Sequence, residues 1–146
     1  MLSWAFPPRS TGGIAAQVSG LSAALAAAGH DVVVLTVADR PAELDAAPPR
    51  NVRVLRAQVD LPWLPPAEAV TRIASANHAV TKVGVRFSGE LEGWEPDVVH
   101  GHDWQLGWAA NSLATRYGDP FVLTMHGTER VRHGGQLPLG HPTAIN

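Results

Sequence analysis

Cysteine is absent from all 146 residues. Disulfides and thiolate chemistry are therefore excluded, and the absence fits a cytoplasmic protein. Charge is also scarce: 16% of residues are Asp, Glu, Lys or Arg, the net charge is −2, and the basic residues are scattered. A nucleic-acid partner would need a concentrated basic footprint, so none is expected. No apolar run approaches the roughly 18 residues of a membrane span. The N-terminus lacks a charged segment followed by an apolar one, so no signal peptide is expected. The chain has no G-x-G-x-x-G fingerprint, P-loop, nucleophile elbow or serine-triad spacing, and no internal repeat or low-complexity tract.

What remains is the composition of a folded domain, with 45% apolar residues and a length sufficient for one core. Met1–Phe6 reads as the end of a strand with almost no beginning, and Pro7–Gly13 as a loop. From Ile14 a helix is expected, with Ile14, Val18, Leu21 and Leu25 on one face and Gly29 as its left-handed cap. Val32–Thr36 is an apolar run suited to a strand buried on both faces. Ala38–Arg50 is expected to be a loop, and Val52–Arg56 a strand near an edge. Asp60–Pro66 is an aromatic, proline-rich loop. Ala67 to about Phe87 reads as a helix with Val70, Ile73, Ala74, Asn77, Val80 and Val83 or Gly84 on one side, and Ser88–Pro96 as a loop. Val98 and Val99 begin a further strand, Trp104–Tyr117 a helix capped by Gly118, and Phe121–Met125 a last strand. His126–Gly140 is expected to be a loop, and Pro142–Asn146 the first turn of a helix. Alternating strands and helices imply an α/β fold: one domain over residues 1–146, with a mostly parallel sheet and helices on both faces. Both ends are expected to break off inside elements.

The chemistry concentrates where strands end, the edge at which open α/β sheets bind ligands. Pro96–Trp104 runs from a short β-branched strand into His100, Gly101, His102 and Asp103. Phe121–Met125 likewise runs into His126, Gly127, Thr128, Glu129 and Arg130. Two such strands would set His100, His102, Asp103 and His126 along one edge. His100 and His102 have spacing compatible with a metal, with His126, Glu129 or His133 as the only further ligands; equally, they can bond nearby backbone. Asp103 can cap the helix that follows and still face a ligand. Gly12 and Gly13 open the first helix, where free N–H groups and the helix dipole suit a phosphate, although a plain glycine turn explains them as well. Asp39 reads as a loop acid. Arg130 and Arg132 can face a phosphate or carboxylate, or form solvated ion pairs.

Taken together, these residues resemble the N-terminal half of retaining GT-B glycosyltransferases of family 4, the glycogen-synthase-like group. The resemblance runs through Trp4, Pro7-Pro8, Gly12-Gly13, Gly29–Val32, Leu61–Pro65, Asn77–Ala79, Pro96–Trp104, Thr124–Glu129 and Arg132–Gly135, so it covers essentially the whole chain. It is similar above all to actinobacterial enzymes acting on α-glucans. The resemblance implies a Rossmann-like domain that faces a second, donor-binding domain absent here, and transfer of a sugar, glucose by expectation, from a nucleotide-sugar to an α-glucan or other saccharide. No cofactor or metal is implied, because ADP- or UDP-glucose enters as substrate. It also implies site roles. Gly12 and Gly13 would meet the donor diphosphate, and Asp103 and His126 would act at the reacting sugar. His102, Thr128, Glu129, Arg132 and His133 would shape the substrate and phosphate pocket. Three positions depart from the pattern: Ala5 stands where Glu is usual, Gln17 where His is common and Val131 where Gly is usual. Without the second domain, this chain is expected to be inactive or nearly so. Two other readings compete: a non-catalytic sugar- or phosphate-binding module, and a metal-dependent hydrolase using His100, His102 and His126.

Overall fold

The computed structural model describes residues 1–4, 13–38, 51–59, 72–90 and 94–127. Its elements are β1 (Leu2–Ser3), α1 (Gly13–Ala27), β2 (Val32–Ala38), β3 (Val52–Gln58), α2 (Ile73–Glu90), β4 (Val99–His102), a 3₁₀ turn (Trp104–Leu106), α3 (Gly107–Tyr117) and β5 (Phe121–Thr124). The strands lie in the order β3-β2-β1-β4-β5, and each pairing is parallel. Helices cover both faces, so the α/β expectation holds. The chain winds outward from β1 through β2 to β3, then returns to β4 on the other side of β1. This reversal leaves a crevice outside the carboxyl ends of β1 and β4.

Burial explains why these segments become strands. All seven residues of β2 are buried, as a run of Val and Leu demands between two neighbours with a helix on each face. Two apolar layers result. Leu2, Leu35, Val37 and Val99 pack against Ala76 and Val80 of α2 and Ala109, Ala110 and Leu113 of α3. Val32, Val34 and Val52 pack against Val18 and Ala26 of α1. Gly101 admits α3 to the sheet, because a Cβ there would stand 3.1 Å from Ala110 Cβ and 3.2 Å from Leu123 Cδ1. β5 forms one edge of the described sheet, with Phe121, Val122 and Leu123 exposed.

Several element boundaries differ from expectation. α1 buries Ala15, Val18, Ser22 and Ala26, while Ile14, Leu21 and Leu25 flank that stripe half-buried. Small residues let the helix axis approach the sheet closely, and the larger ones splay to either side. α2 buries Asn77, Val80 and Gly84 as expected, but Ala76 completes that face and Ala74 is exposed. It also runs on to Glu90, so Ser88–Glu90 are helical rather than loop. β4 starts at Val99 and contains His100 and His102. Backbone pairing to β5 holds these polar residues in the strand through the register His100↔Val122 and His102↔Thr124. The single helix expected from Trp104 is a 3₁₀ turn followed by α3, because Leu106, at φ −110° and ψ 16°, is not helical. Gly29 (φ 93°) and Gly118 (φ 77°) end their helices in the left-handed region as expected. At α1 the closing bonds run from His30 N to Leu25 O (3.1 Å) and Gly29 N to Ala26 O (3.1 Å), a Schellman arrangement.

A cavity of about 660 Å³ opens at the amino ends of the strands, opposite the crevice, lined by residues including Met1, Leu35, Phe87, Trp94 and Tyr117. In this region the Met1 amine donates to Val33 O at 2.6 Å. Burial pushes that amine down to about 5.

Candidate active site

The crevice edge is built by three strand ends. β1 contributes Ser3, whose register partner on β4 is His102, and both residues are buried. β4 ends in His102 and passes directly into Asp103, and each is only 1% exposed. A third contribution comes just past β5, where His126 is half-buried.

Strand alternation decides which side chains meet. His100 and His102, two residues apart, project from the same face, as does the paired Thr124. The His100 and His102 rings stack, with centroids 4.2 Å apart and planes inclined at 27°. His100 Nε2 bonds the Thr124 hydroxyl at 2.7 Å. His102 Nδ1 meets His126 Nε2 at 3.3 Å. Those two ring centroids are 5.6 Å apart with planes at 20°. The excess over the N···N distance matches the combined radii of two imidazoles, so these rings meet edge to edge in nearly one plane.

Burial sets the charge state. It pushes His102 down to about 4, with His100, His126 and the chain-terminal amine adding repulsion. His100 is lowered for the same first reason, then by the terminal amine and His126. The part of the site built by His100 and His102 is therefore neutral imidazole at ordinary pH. It can donate and accept hydrogen bonds without presenting fixed positive charge, which suits sugar hydroxyls.

Asp103 sits at φ 63° and ψ 170°, a region almost reserved for glycine. Its carboxylate accepts from Trp104 N at 3.1 Å, so it does cap the turn that follows. A non-glycine residue held there is a point of stored strain at the crevice. The backbone is fixed on both sides: Asp103 N donates to Thr124 O at 2.8 Å, and the following turn is held by Asn77 of α2. Asn77 Nδ2 donates to Gln105 O at 2.7 Å and to Ile73 O at 2.8 Å, and its Oδ1 accepts from Ala109 N at 2.7 Å. One buried amide thus ties α2 to the segment carrying Asp103 and satisfies a free N–H in the first turn of α3.

Gly13 begins α1 at φ 52°, with nothing within 4 Å of where a Cβ would stand. A residue with a side chain is disfavoured there, and the backbone is open to close approach. The first turn of α1 contains no acidic residue to repel an anion. Gly12, Thr128, Glu129, Arg132 and His133 lie outside the described residues, as do Asp39, Ala5 and Val131. Gln17 is exposed on α1.

The metal reading drew on His100, His102 and His126. These residues do come together, but His100 Nε2 is engaged by Thr124 and the nearly parallel rings do not aim their in-plane lone pairs at one point. Among the described residues, no group of three His, Cys, Asp or Glu is arranged to hold a metal ion. Sequence reasoning gave no site role to Ser3, and it named Thr124 and Asn77 only within stretches that carry the resemblance or a helix face. The one available signal was polarity: Thr124 is a polar residue at the end of an apolar strand, and Asn77 is a polar residue on the apolar side of its helix. No helix among the described residues is long and apolar enough to cross a membrane.

Comparison with known proteins bears directly on this edge. A glycogen synthase of Mycobacterium tuberculosis is 38% identical over 148 aligned positions, covering 92% of this chain and 34% of the relative. An uncharacterised glycosyltransferase of Methanocaldococcus jannaschii is 31% identical, covering 92% of this chain and 32% of the relative. A D-inositol 3-phosphate glycosyltransferase of Frankia alni is 34% identical over 84% of this chain and 30% of its own length. The chain thus spans about a third of the curated relatives it matches. The family model for the glycosyl transferase 4-like domain matches residues 12–144, a span that takes in α1, β2, β3 and both histidine-bearing strand ends. The chain belongs to the glycosyl transferase 4-like family.

Proposed function

We propose that this domain is the acceptor-side, N-terminal half of a retaining GT-B glycosyltransferase acting in the cytoplasm. A second Rossmann-like domain would bind the nucleoside of a nucleotide-sugar, ADP- or UDP-glucose. The pair would close over the donor and move glucose to an α-glucan or other saccharide with retention of configuration. The observation that carries this reading is the pair His102 and Asp103, each 1% exposed at the strand-order reversal, in a chain of this family. Buried polar groups carry a desolvation cost, and at a strand-order reversal they stand where a ligand binds.

In this reading Asp103 and His126 touch the transferring sugar. The open N-terminus of α1 at Gly12 and Gly13 receives the donor diphosphate through backbone N–H groups. Thr128, Glu129, Arg132 and His133 complete the substrate pocket. Stabilisation of the departing diphosphate and the cationic sugar by preorganised dipoles does most of the work. No cofactor or metal is required.

The test is sugar transfer by the protein that joins this domain to its donor-binding partner, measured with labelled ADP- and UDP-glucose and oligosaccharide acceptors. Asp103→Asn and His126→Ala should each lower kcat by about 100-fold or more, as loss of one preorganised group does, with donor affinity changed much less. Undiminished turnover in both variants would overturn the assignment of this edge.

A further inference from the structure

We infer that His102 is a positioning residue that fixes the tautomer of His126, making His126 a hydrogen-bond donor rather than a base. The inference rests on the transferase reading only for the identity of the ligand. The geometry stands apart from it.

The two rings meet edge to edge, His102 Nδ1 facing His126 Nε2 at 3.3 Å. Two bare lone pairs would repel, and two N–H groups would clash, so one proton occupies that contact. Two arrangements satisfy this. If His126 donates from Nε2, neutral His102 must carry its own proton on Nε2. If His102 donates from Nδ1, its Nε2 is a bare acceptor. The environment of that atom discriminates between them. His102 Nε2 is buried with no hydrogen-bond partner. His100 stacks on the face of the ring and bonds Thr124 instead, so it supplies no acceptor in the ring plane. An orphaned buried N–H is rare in proteins. The stable arrangement therefore places the His102 proton on Nδ1, donated to His126 Nε2.

The consequence is passed on to His126. A neutral imidazole holds one proton. With Nε2 accepting from His102, that proton sits on Nδ1. The other ring nitrogen of His126 is then an N–H. It recognises an oxygen that accepts, such as a sugar hydroxyl oxygen or a phosphate oxygen, and it cannot take a proton from an attacking hydroxyl while it remains neutral. The buried end of β4 thus sets the polarity of a group on the next strand end.

The test is long-range ¹H–¹⁵N correlation spectroscopy of this chain, labelled at histidine, near neutral pH. The expected spectrum gives His126 a protonated-type Nδ1 and a bare-type Nε2, and gives His102 the same pattern. His102→Phe keeps an aromatic ring stacked on His100 but removes the donor, and the His126 pattern should then interchange or average. His102→Asn serves if the Phe variant does not fold, since its side-chain amide can still donate and should retain the wild-type pattern. A bare-type Nδ1 on His126 in the wild-type chain overturns the inference, as does a His126 pattern unaffected by His102→Phe. None of these readouts depends on transfer activity, so an inactive enzyme with the expected tautomer would count against the transferase reading alone.

Discussion

Protonating His102 should destabilise this domain from the inside. Burial holds the ring at about 4 in the fold, whereas an unfolded histidine titrates near 6.5. Between those values the unfolded chain binds a proton that the folded one refuses. Stability is then fully present above the unfolded value and is lost as pH falls from about 6.5 to about 4. The slope is about 1.4 kcal/mol per pH unit, so the loss totals about 3 kcal/mol, a large share of the 5–15 kcal/mol that holds a typical domain together. The Met1 amine, pushed to about 5 from its usual 8.0, acts in the same direction over a higher range, and N-terminal acetylation removes its share. Urea unfolding of the acetylated chain and its His102→Phe variant at pH 7, 6, 5 and 4 isolates the histidine. The wild-type advantage should shrink steadily with acid, by about 3 kcal/mol across the series. A difference between the two proteins that stays constant over that range would refute the reasoning.

Three further perturbations test the supports of the site. Asn77→Ala removes three short hydrogen bonds, one within α2 and two to the turn and helix that follow Asp103, and should cost about 2–4 kcal/mol; a loss below about 1 kcal/mol in denaturant unfolding would mean water replaces the amide. Gly101→Ala places a methyl 3.1 Å from Ala110 Cβ and should cost about 1–3 kcal/mol by overpacking α3 against the sheet, visible as a lower Tm. Asp103 separates strain from capping: Asp103→Gly relieves about 1–3 kcal/mol of backbone strain and loses a cap worth about 1 kcal/mol, whereas Asp103→Ala loses the cap and keeps the strain. The Gly variant should therefore be the more stable of the two, and equal stability would show that φ 63° is not costly here.

Much of the secondary structure was legible because its causes are local. The Val-Val-Val-Leu run of β2 is apolar enough to specify a doubly covered strand by itself. Gly29 and Gly118 mark helix ends because a left-handed residue closes the hydrogen bonds of the preceding turn, whatever lies elsewhere in the chain. Where expectations slipped, a distant partner had intervened. The buried stripe of α1 runs through Ala15, Ser22 and Ala26 rather than Ile14, Leu21 and Leu25, because closeness to the sheet selects small residues and periodicity alone cannot rank them. β4 reaches through both histidines because β5 lies beside it to complete the ladder.

The sequence by itself determined that strands alternate with helices, that polar and ionisable residues gather where two strands end, and that a glycine opens the first helix. These follow from propensities and spacings within a few residues. Tertiary structure alone decided that β4 and β5 are neighbours, and hence that His102 and His126, separated by all of α3, share one proton-bearing contact. It also decided that Asn77 of α2 anchors the turn behind Asp103. Strand order and helix docking are set by how two apolar layers close over a sheet, a sum over contacts distant in sequence. No local pattern of side chains contains that sum.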